Sequence, residues 1–141
     1  MTDPAHVAPI ELAVETTVDT AAAWVAISDP ARIAEWFTEA SPLGAVGSEY
    51  TLDFGDGSVV TGRVLEVEPS VRFVHSWRWE GDDEAATTRV AWSVAPASGG
   101  GSLISLLHDG WDEAGLDAET RDDHAGYWAG YLEDLRDILA G

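Results

Sequence analysis

The residues able to do chemistry in this chain are four histidines, a large excess of carboxylates and a dense set of rings. His6 lies near the start, His75 sits among Phe73, Trp77 and Trp79, His108 precedes Asp109-Gly110-Trp111, and His124 comes just before Tyr127 and Trp128. His75, His108 and His124 with Asp109 have suitable donor atoms for a metal, imidazole nitrogen and carboxylate oxygen. Their spacing does not support one. No HExxH or comparable local pair occurs, and ligands gathered singly from distant strands are a weak signal. The expectation is therefore histidines satisfied by a carbonyl or hydroxyl, with no metal and no cofactor. Nucleophilic catalysis has less support still: there is no cysteine and no GxSxG elbow, and Ser76, Ser93 and Ser105 fall on the outer faces of their strands. Gly99-Gly100-Gly101 does not open a helix and no lysine follows it, so it is not a phosphate loop. No residue is assigned a catalytic role.

What remains is the ring inventory. Trp36, Phe54, Trp77, Trp79, Trp92, Trp111, Tyr127 and Trp128, with His108 and His124, fall on elements that would wall a cavity, although a ring at such a position is more often simple core than a ligand contact. Tryptophan is costly to bury because its N–H needs an acceptor, so several gathered together favour a hollow with polar handles. The chemistry expected there is binding of a planar or otherwise apolar small molecule by contact area, oriented by His108, His124 or Tyr127.

The elements that must position these residues follow from periodicity. Ile10 to Thr17 alternates as a half-buried strand. Asp19 or Thr20 starts a short helix through Trp24 and Ile27, and Asp29-Pro30 starts a second carrying Ile33, Trp36 and Phe37. From Gly47 the period is two. Tyr50, Leu52 and Phe54 lead through Gly55-Asp56-Gly57, a tight hairpin turn, into a strand over about 58–68 with a bulge near Leu65. Strands over Val71–Trp79, around Val90–Val94 and over Leu103–His108 follow. Asp117 to Leu139 is the long amphipathic helix, with Trp128, Leu132, Leu135 and Leu139 on one stripe widened by Tyr131 and Ile138. Its first half is unusual, since Ala125, Gly126, Ala129 and Gly130 remove bulk beside His124, Tyr127 and Trp128. That half reads either as a cavity wall or as a close approach of the helix backbone to the sheet.

Composition bounds the partners. The chain has 141 residues, one domain's worth, with a leader over 1–8 expected to be loose. A formal net charge of −19 repels nucleic acid and anionic membranes, and the seven basic residues, all arginines, are scattered. Lysine, asparagine, glutamine and cysteine are absent, a bias that fits a GC-rich genome or a salt-rich cytoplasm. Hydrophobic content of 45% makes a folded chain the expectation. No apolar run reaches membrane-spanning length and the start lacks a signal-peptide pattern, so a cytoplasmic protein, without membrane insertion, is expected.

The ordered set Trp24, Ile27-Ser28-Asp29-Pro30, Trp36-Phe37, Gly47, Tyr50, Phe54-Gly55-Asp56-Gly57, Gly62, Val64, Pro69, Phe73, Trp77, His108-Asp109-Gly110-Trp111, His124, Trp128, Leu132 and Leu135 resembles a known group. It is similar to the Bet v 1-like or START-like (SRPBCC) superfamily, and within it to single-domain bacterial proteins like the C-terminal domain of the activator of Hsp90 ATPase. The resemblance runs from Ile10 to Leu139. It implies an α+β helix-grip fold: a curved antiparallel six-stranded sheet wrapped around a long C-terminal helix, with two short helices after strand one. It also implies a cavity between that helix and the sheet for an apolar or amphipathic small molecule. A cyclase or dehydratase using the same cavity is the alternative, and a protein-interaction module like the Hsp90 activator is the next. The authentic activator has an additional N-terminal domain with no counterpart here, so co-chaperone activity is not carried over. A homodimer through the outer sheet face or a strand edge is also expected.

Overall fold

The computed structural model describes residues 7–41 and 45–140. His6 and most of the expected leader lie outside the described residues. Val7 and Ala8 are held in place: the Val7 N–H donates to Asp112 Oδ1 at 2.7 Å, and the Arg121 guanidinium donates to the carbonyls of Ala8 and Pro9 at 3.1 and 2.9 Å.

The order of elements is β1 (Ile10–Thr16), α1 (Thr20–Ser28), α2 (Pro30–Trp36), β2 (Glu39–Ala40), β3 (Glu49–Asp53), β4 (Val59–Glu68), β5 (Arg72–Trp79), β6 (Thr88–Pro96), β7 (Ser102–Asp109) and α3 (Ala118–Ala140). All strands join one antiparallel sheet in the order β1-β7-β6-β5-β4-β3-β2. The sheet has seven strands where the sequence predicts six. The extra one, β2, is only two residues long, pairing Glu39 with Asp53 and Ala40 with Leu52, and a strand that short shows no alternation to read. The expected bulge is present, since the β4–β5 register shifts between Val64 and Glu66, leaving Leu65 unpaired.

Local chemistry explains the boundaries. Asp19 caps α1 and Asp29 caps α2 by accepting backbone N–H bonds from Ala22 and Ala31, and Pro30 suits the first helical position of α2. Asp117 caps α3, its Oδ1 accepting from Thr120 N–H at 2.9 Å. Gly62 is required by close approach rather than by a turn. A Cβ there would lie 2.2 Å from the Ser76 carbonyl oxygen and 2.5 Å from the Tyr50 ring.

The core lies between the inner sheet face and one stripe of α3. Ile10, Val60, Val64, Phe73, Trp77, Val90, Trp92, Ile104 and Leu106 are buried on the sheet side, and Trp128, Leu132, Leu135 and Leu139 on the helix side. Those four helical positions sum to a single face at the α-helical period. The glycines of α3 are not a contact surface: Gly126 and Gly130 are exposed, and a Cβ on either meets nothing within 4 Å. Close backbone approach at these glycines is thereby ruled out.

Two substitutions on α3 should accordingly move stability in opposite directions. Leu135→Ala, at a fully buried site, is expected to lower the unfolding free energy by about 2–5 kcal/mol in a urea titration. Gly126→Ala should raise it by roughly 0.5–1 kcal/mol, because it restricts the unfolded chain and meets no obstacle in the folded one.

Candidate functional site

Alternation on β5 puts Phe73, His75, Trp77 and Trp79 on the inner face, and the register sets Phe73 opposite Trp92, His75 opposite Val90 and Val90 opposite His108. α3 brings His124 and Trp128 down onto this wall, and Phe37, just past α2, closes it from the side. Trp128 meets its ring neighbours edge-on or tilted, whereas Phe37 stacks on Trp77. Trp128 lies 5.2 Å from Trp77, 5.6 Å from Trp92 and 5.2 Å from Phe37, centroid to centroid, and Phe37 lies 4.7 Å from Tyr131.

The polar atoms of these rings form a repeated pattern in which an indole donates to an imidazole. Trp128 Nε1–H donates to His108 Nδ1 at 3.0 Å, which leaves His108 Nε2 to carry the proton and donate to Thr88 Oγ1 at 2.7 Å. The Thr88 hydroxyl in turn donates to the Trp77 carbonyl. Trp92 Nε1–H donates to His75 Nε2 at 3.2 Å, so His75 carries its proton on Nδ1 and donates to the Tyr50 hydroxyl at 2.8 Å. Tyr50 passes its own proton to the Ser76 carbonyl. The Arg63 N–H donates to the Ser76 hydroxyl at 2.9 Å. In the third pair Trp79 Nε1–H donates to His124 Nε2 at 3.0 Å, and His124 Nδ1–H donates to the Thr120 carbonyl at 2.8 Å. These tautomers follow from the donors, since an indole N–H can only give a proton.

Each imidazole is thus neutral, with both nitrogens engaged, and burial reinforces that state. Burial lowers the pKa of His75 to about 4 and pushes that of His108 well below the ordinary value, the neighbouring His124 and His75 adding to the latter shift. Burial also lowers His124, against an opposing pull from the Thr120 carbonyl and Asp123. No lone pair is left to bind a metal, and among the described residues no three His, Asp or Glu side chains converge to hold one. Trp77 breaks the pattern. Its Nε1 is sealed from solvent and meets no acceptor among the described residues, a loss worth about 1–3 kcal/mol.

At one end the rings part. A hollow of about 440 Å³ opens between the first half of α3, the β3–β4 hairpin and the end of β5, lined by Phe37, Phe54, Asp56, Ser58, Trp77, Trp79, His124, Tyr127, Trp128 and Tyr131. Of the predicted cavity residues, Phe54, Trp77, Trp79, His124, Tyr127 and Trp128 meet there. Trp36 and Trp92 instead border, with Trp128, a separate gap of about 30 Å³, space for one or two waters. His108 and Trp111 are buried and border neither space. His108 has no nitrogen to offer an occupant, and Trp111 spends its N–H on the His108 carbonyl at 3.0 Å. Four lining residues were not predicted as such. Phe37 and Tyr131 were readable as helix-stripe positions and their place on the rim was not, whereas Asp56 and Ser58 belong to a turn whose side-chain directions the period-two pattern does not define.

A curved antiparallel sheet closed on its concave side by a C-terminal helix, with two short helices after the first strand, is the helix-grip architecture of Bet v 1-like proteins. The chain belongs, more narrowly, to the family described as activator of Hsp90 ATPase homolog 1-like protein, whose model matches residues 17–140. Solved structures share the fold. DynU16, from the dynemicin biosynthetic locus, is 22% identical with a TM-score of 0.82, over 93% of this chain and 46% of that one, so this chain spans under half of DynU16. CalU16 from Micromonospora echinospora is 24% identical with a TM-score of 0.77, covering 99% of this chain and 81% of the other. The Aha1 protein of Colwellia psychrerythraea, solved as a dimer, is 18% identical with a TM-score of 0.78 over 94% and 96% of the two chains. No curated protein sequence matches this one. Among the described residues no helix is long and apolar enough to cross a membrane.

The neutral histidines make a definite pH signature. A histidine whose folded pKa lies below its unfolded value takes up protons more readily when unfolded, so the stability it contributes is complete above the unfolded value and declines as pH falls. For His75 that decline should run from about pH 6.5 to about pH 4 and amount to roughly 3 kcal/mol. Urea unfolding at a series of pH values measures it; a curve that stays level through this window would show that the imidazoles are not held neutral.

Proposed function

We propose that this protein binds a planar or amphipathic small molecule in the hollow beside the first half of α3. The observation that carries the proposal is the hollow itself: about 440 Å³, walled by Phe54, Trp77, Trp79 and Trp128 and open at a rim bearing Asp56, Ser58 and Tyr127. Its size lies within the range of sites that take drug-sized ligands, and its makeup of ring walls with few polar groups matches theirs. Tyr127, 68% exposed although it is a large ring, stands where an occupant would cover it. The family and fold are compatible with this reading, and binding rather than turnover is favoured by the state of His124. The imidazole of the hollow already holds an indole proton on one nitrogen and gives its own to a carbonyl, so it has no lone pair with which to act as a base. Asp56, held ionised by its hydrogen bonds to Ser58, is a weak one.

Plugging the hollow tests this. Ser58 is half-buried at the rim, in the turn just before β4, where Ser58→Trp would place a large ring in the space. Titration of the wild-type protein with a neutral apolar dye such as Nile red is expected to give saturable, displaceable binding with quenching of tryptophan emission. The plugged variant should bind at least about tenfold more weakly, a difference of about 1.4 kcal/mol, with its thermal midpoint nearly unchanged. Equal binding by the two would rule the hollow out as the site.

A further inference from the structure

The hollow carries charge of one sign only. Among its lining residues Asp56 is the sole carboxylate, His124 is neutral, and none of the chain's seven arginines takes part. Asp56 stands at the tip of the β3–β4 hairpin, and the Ser58 N–H donates to its Oδ1 at 2.9 Å, which fixes the carboxylate at the rim. The remaining walls are rings, whose faces bear the negative lobe of the π quadrupole. Around them lies a molecule of formal net charge −19.

We propose that the occupant is a cation: a planar aromatic or amphipathic body bearing a protonated amine or quaternary ammonium, its apolar part against Phe54, Trp79 and Trp128 and its charge beside Asp56 and Tyr127. This rests on the hollow being a small-molecule site and adds the charge class of what enters. Three effects act in the same direction. A cation over an aromatic face is attracted by the ring quadrupole, an ionised carboxylate within reach adds a direct charge pair, and the field of an acidic protein concentrates cations at a low-dielectric cleft. Tyr131, at the rim, lies in the same field. Burial raises the Tyr131 pKa first of all, and then Tyr127, Asp134 and Asp56 raise it further, as a surrounding negative potential does. Hydrogen bonds from the Ser58 backbone and side chain lower the Asp56 pKa, so its charge persists across the neutral range. An anion of the same shape would meet the carboxylate with no positive group to offset it.

Three probes built on one ring system separate charge from shape: aminoacridine, a cation at neutral pH, acridine, which is neutral there, and acridine carboxylate, an anion. Tryptophan quenching should rank them cation, neutral, anion in order of affinity. Asp56→Asn keeps an acceptor for the Ser58 N–H and is expected to weaken aminoacridine by about twofold to fivefold, the size of an exposed charge pair, while leaving acridine unchanged. Glu15→Gln removes an equal charge from the outer face of β1, where Glu15 pairs with Leu103, and should alter neither probe. Binding of acridine with no preference for aminoacridine, or equal effects of the two substitutions, would overturn the charge assignment and leave the hollow as a site. Absence of binding by all three probes, or binding unaffected by Ser58→Trp, would overturn both.

Discussion

The rest of this structure depends on the need of a buried indole N–H for an acceptor. The chain contains no asparagine and no glutamine, so the amide carbonyls that often serve this purpose in protein interiors are missing. Backbone carbonyls supply two indoles, Trp36 through Ala26 and Trp111 through His108. The other acceptors come from imidazoles, one each for Trp79, Trp92 and Trp128. An imidazole serves well here because it both accepts and donates, so each histidine carries the hydrogen bonding onward to a hydroxyl or a carbonyl. The resulting chains tie β5, β6, β7 and α3 together through directional bonds in a region where packing alone would leave the rings free to slide. They also commit each histidine to one tautomer and leave none of these imidazole nitrogens without a hydrogen-bond partner.

The same constraint separates the closed part of the interior from the open part. Where indoles and imidazoles pair in depth, around His75 and His108, the side chains leave no more than the gap of about 30 Å³ beside Trp92. Trp79 and His124 form the outermost pair, and beyond them the sheet and α3 diverge with only Phe54, Tyr127 and Tyr131 between. The second half of α3 lies on aliphatic neighbours and has no such gap. The hollow is thus located by where the hydrogen-bonded rings end, and Gly126, Ala129 and Gly130 of α3, which face solvent, line no part of it.

Much of this was legible in the sequence. The α3 stripe, the alternation on β5, the Asp-Gly turn and the bulge at Leu65 each come from a local pattern with a local cause, and the order of elements follows from them. β2 was not legible because two residues carry no period. The division of the ring residues into wall and core was not legible either. His108 and His124 each precede a tryptophan by three or four residues in sequence, yet one is enclosed and the other lines the hollow. The difference is set by strand curvature and by the position of Phe37 across the cleft, which are tertiary facts. Asp56 was visible only as a turn residue, since its role as the lining's one fixed charge depends on which way the hairpin tips.

The pairing of β1 with β7 has a consequence for how the chain reaches this state. Ile10 lies opposite His108, so the first strand finds its neighbour only after nearly the whole sheet between them has been made. Every other long strand pairs with one adjacent in the chain through a hairpin, which is a short-range event. Closing the β1–β7 seam therefore carries the largest loop-closure entropy in the molecule and gives the fold a high contact order. During synthesis the N-terminal strand must wait, with an unpaired edge, until the ribosome has released β7; the late step in assembly is thus a zipper joining the two ends of a wall already built.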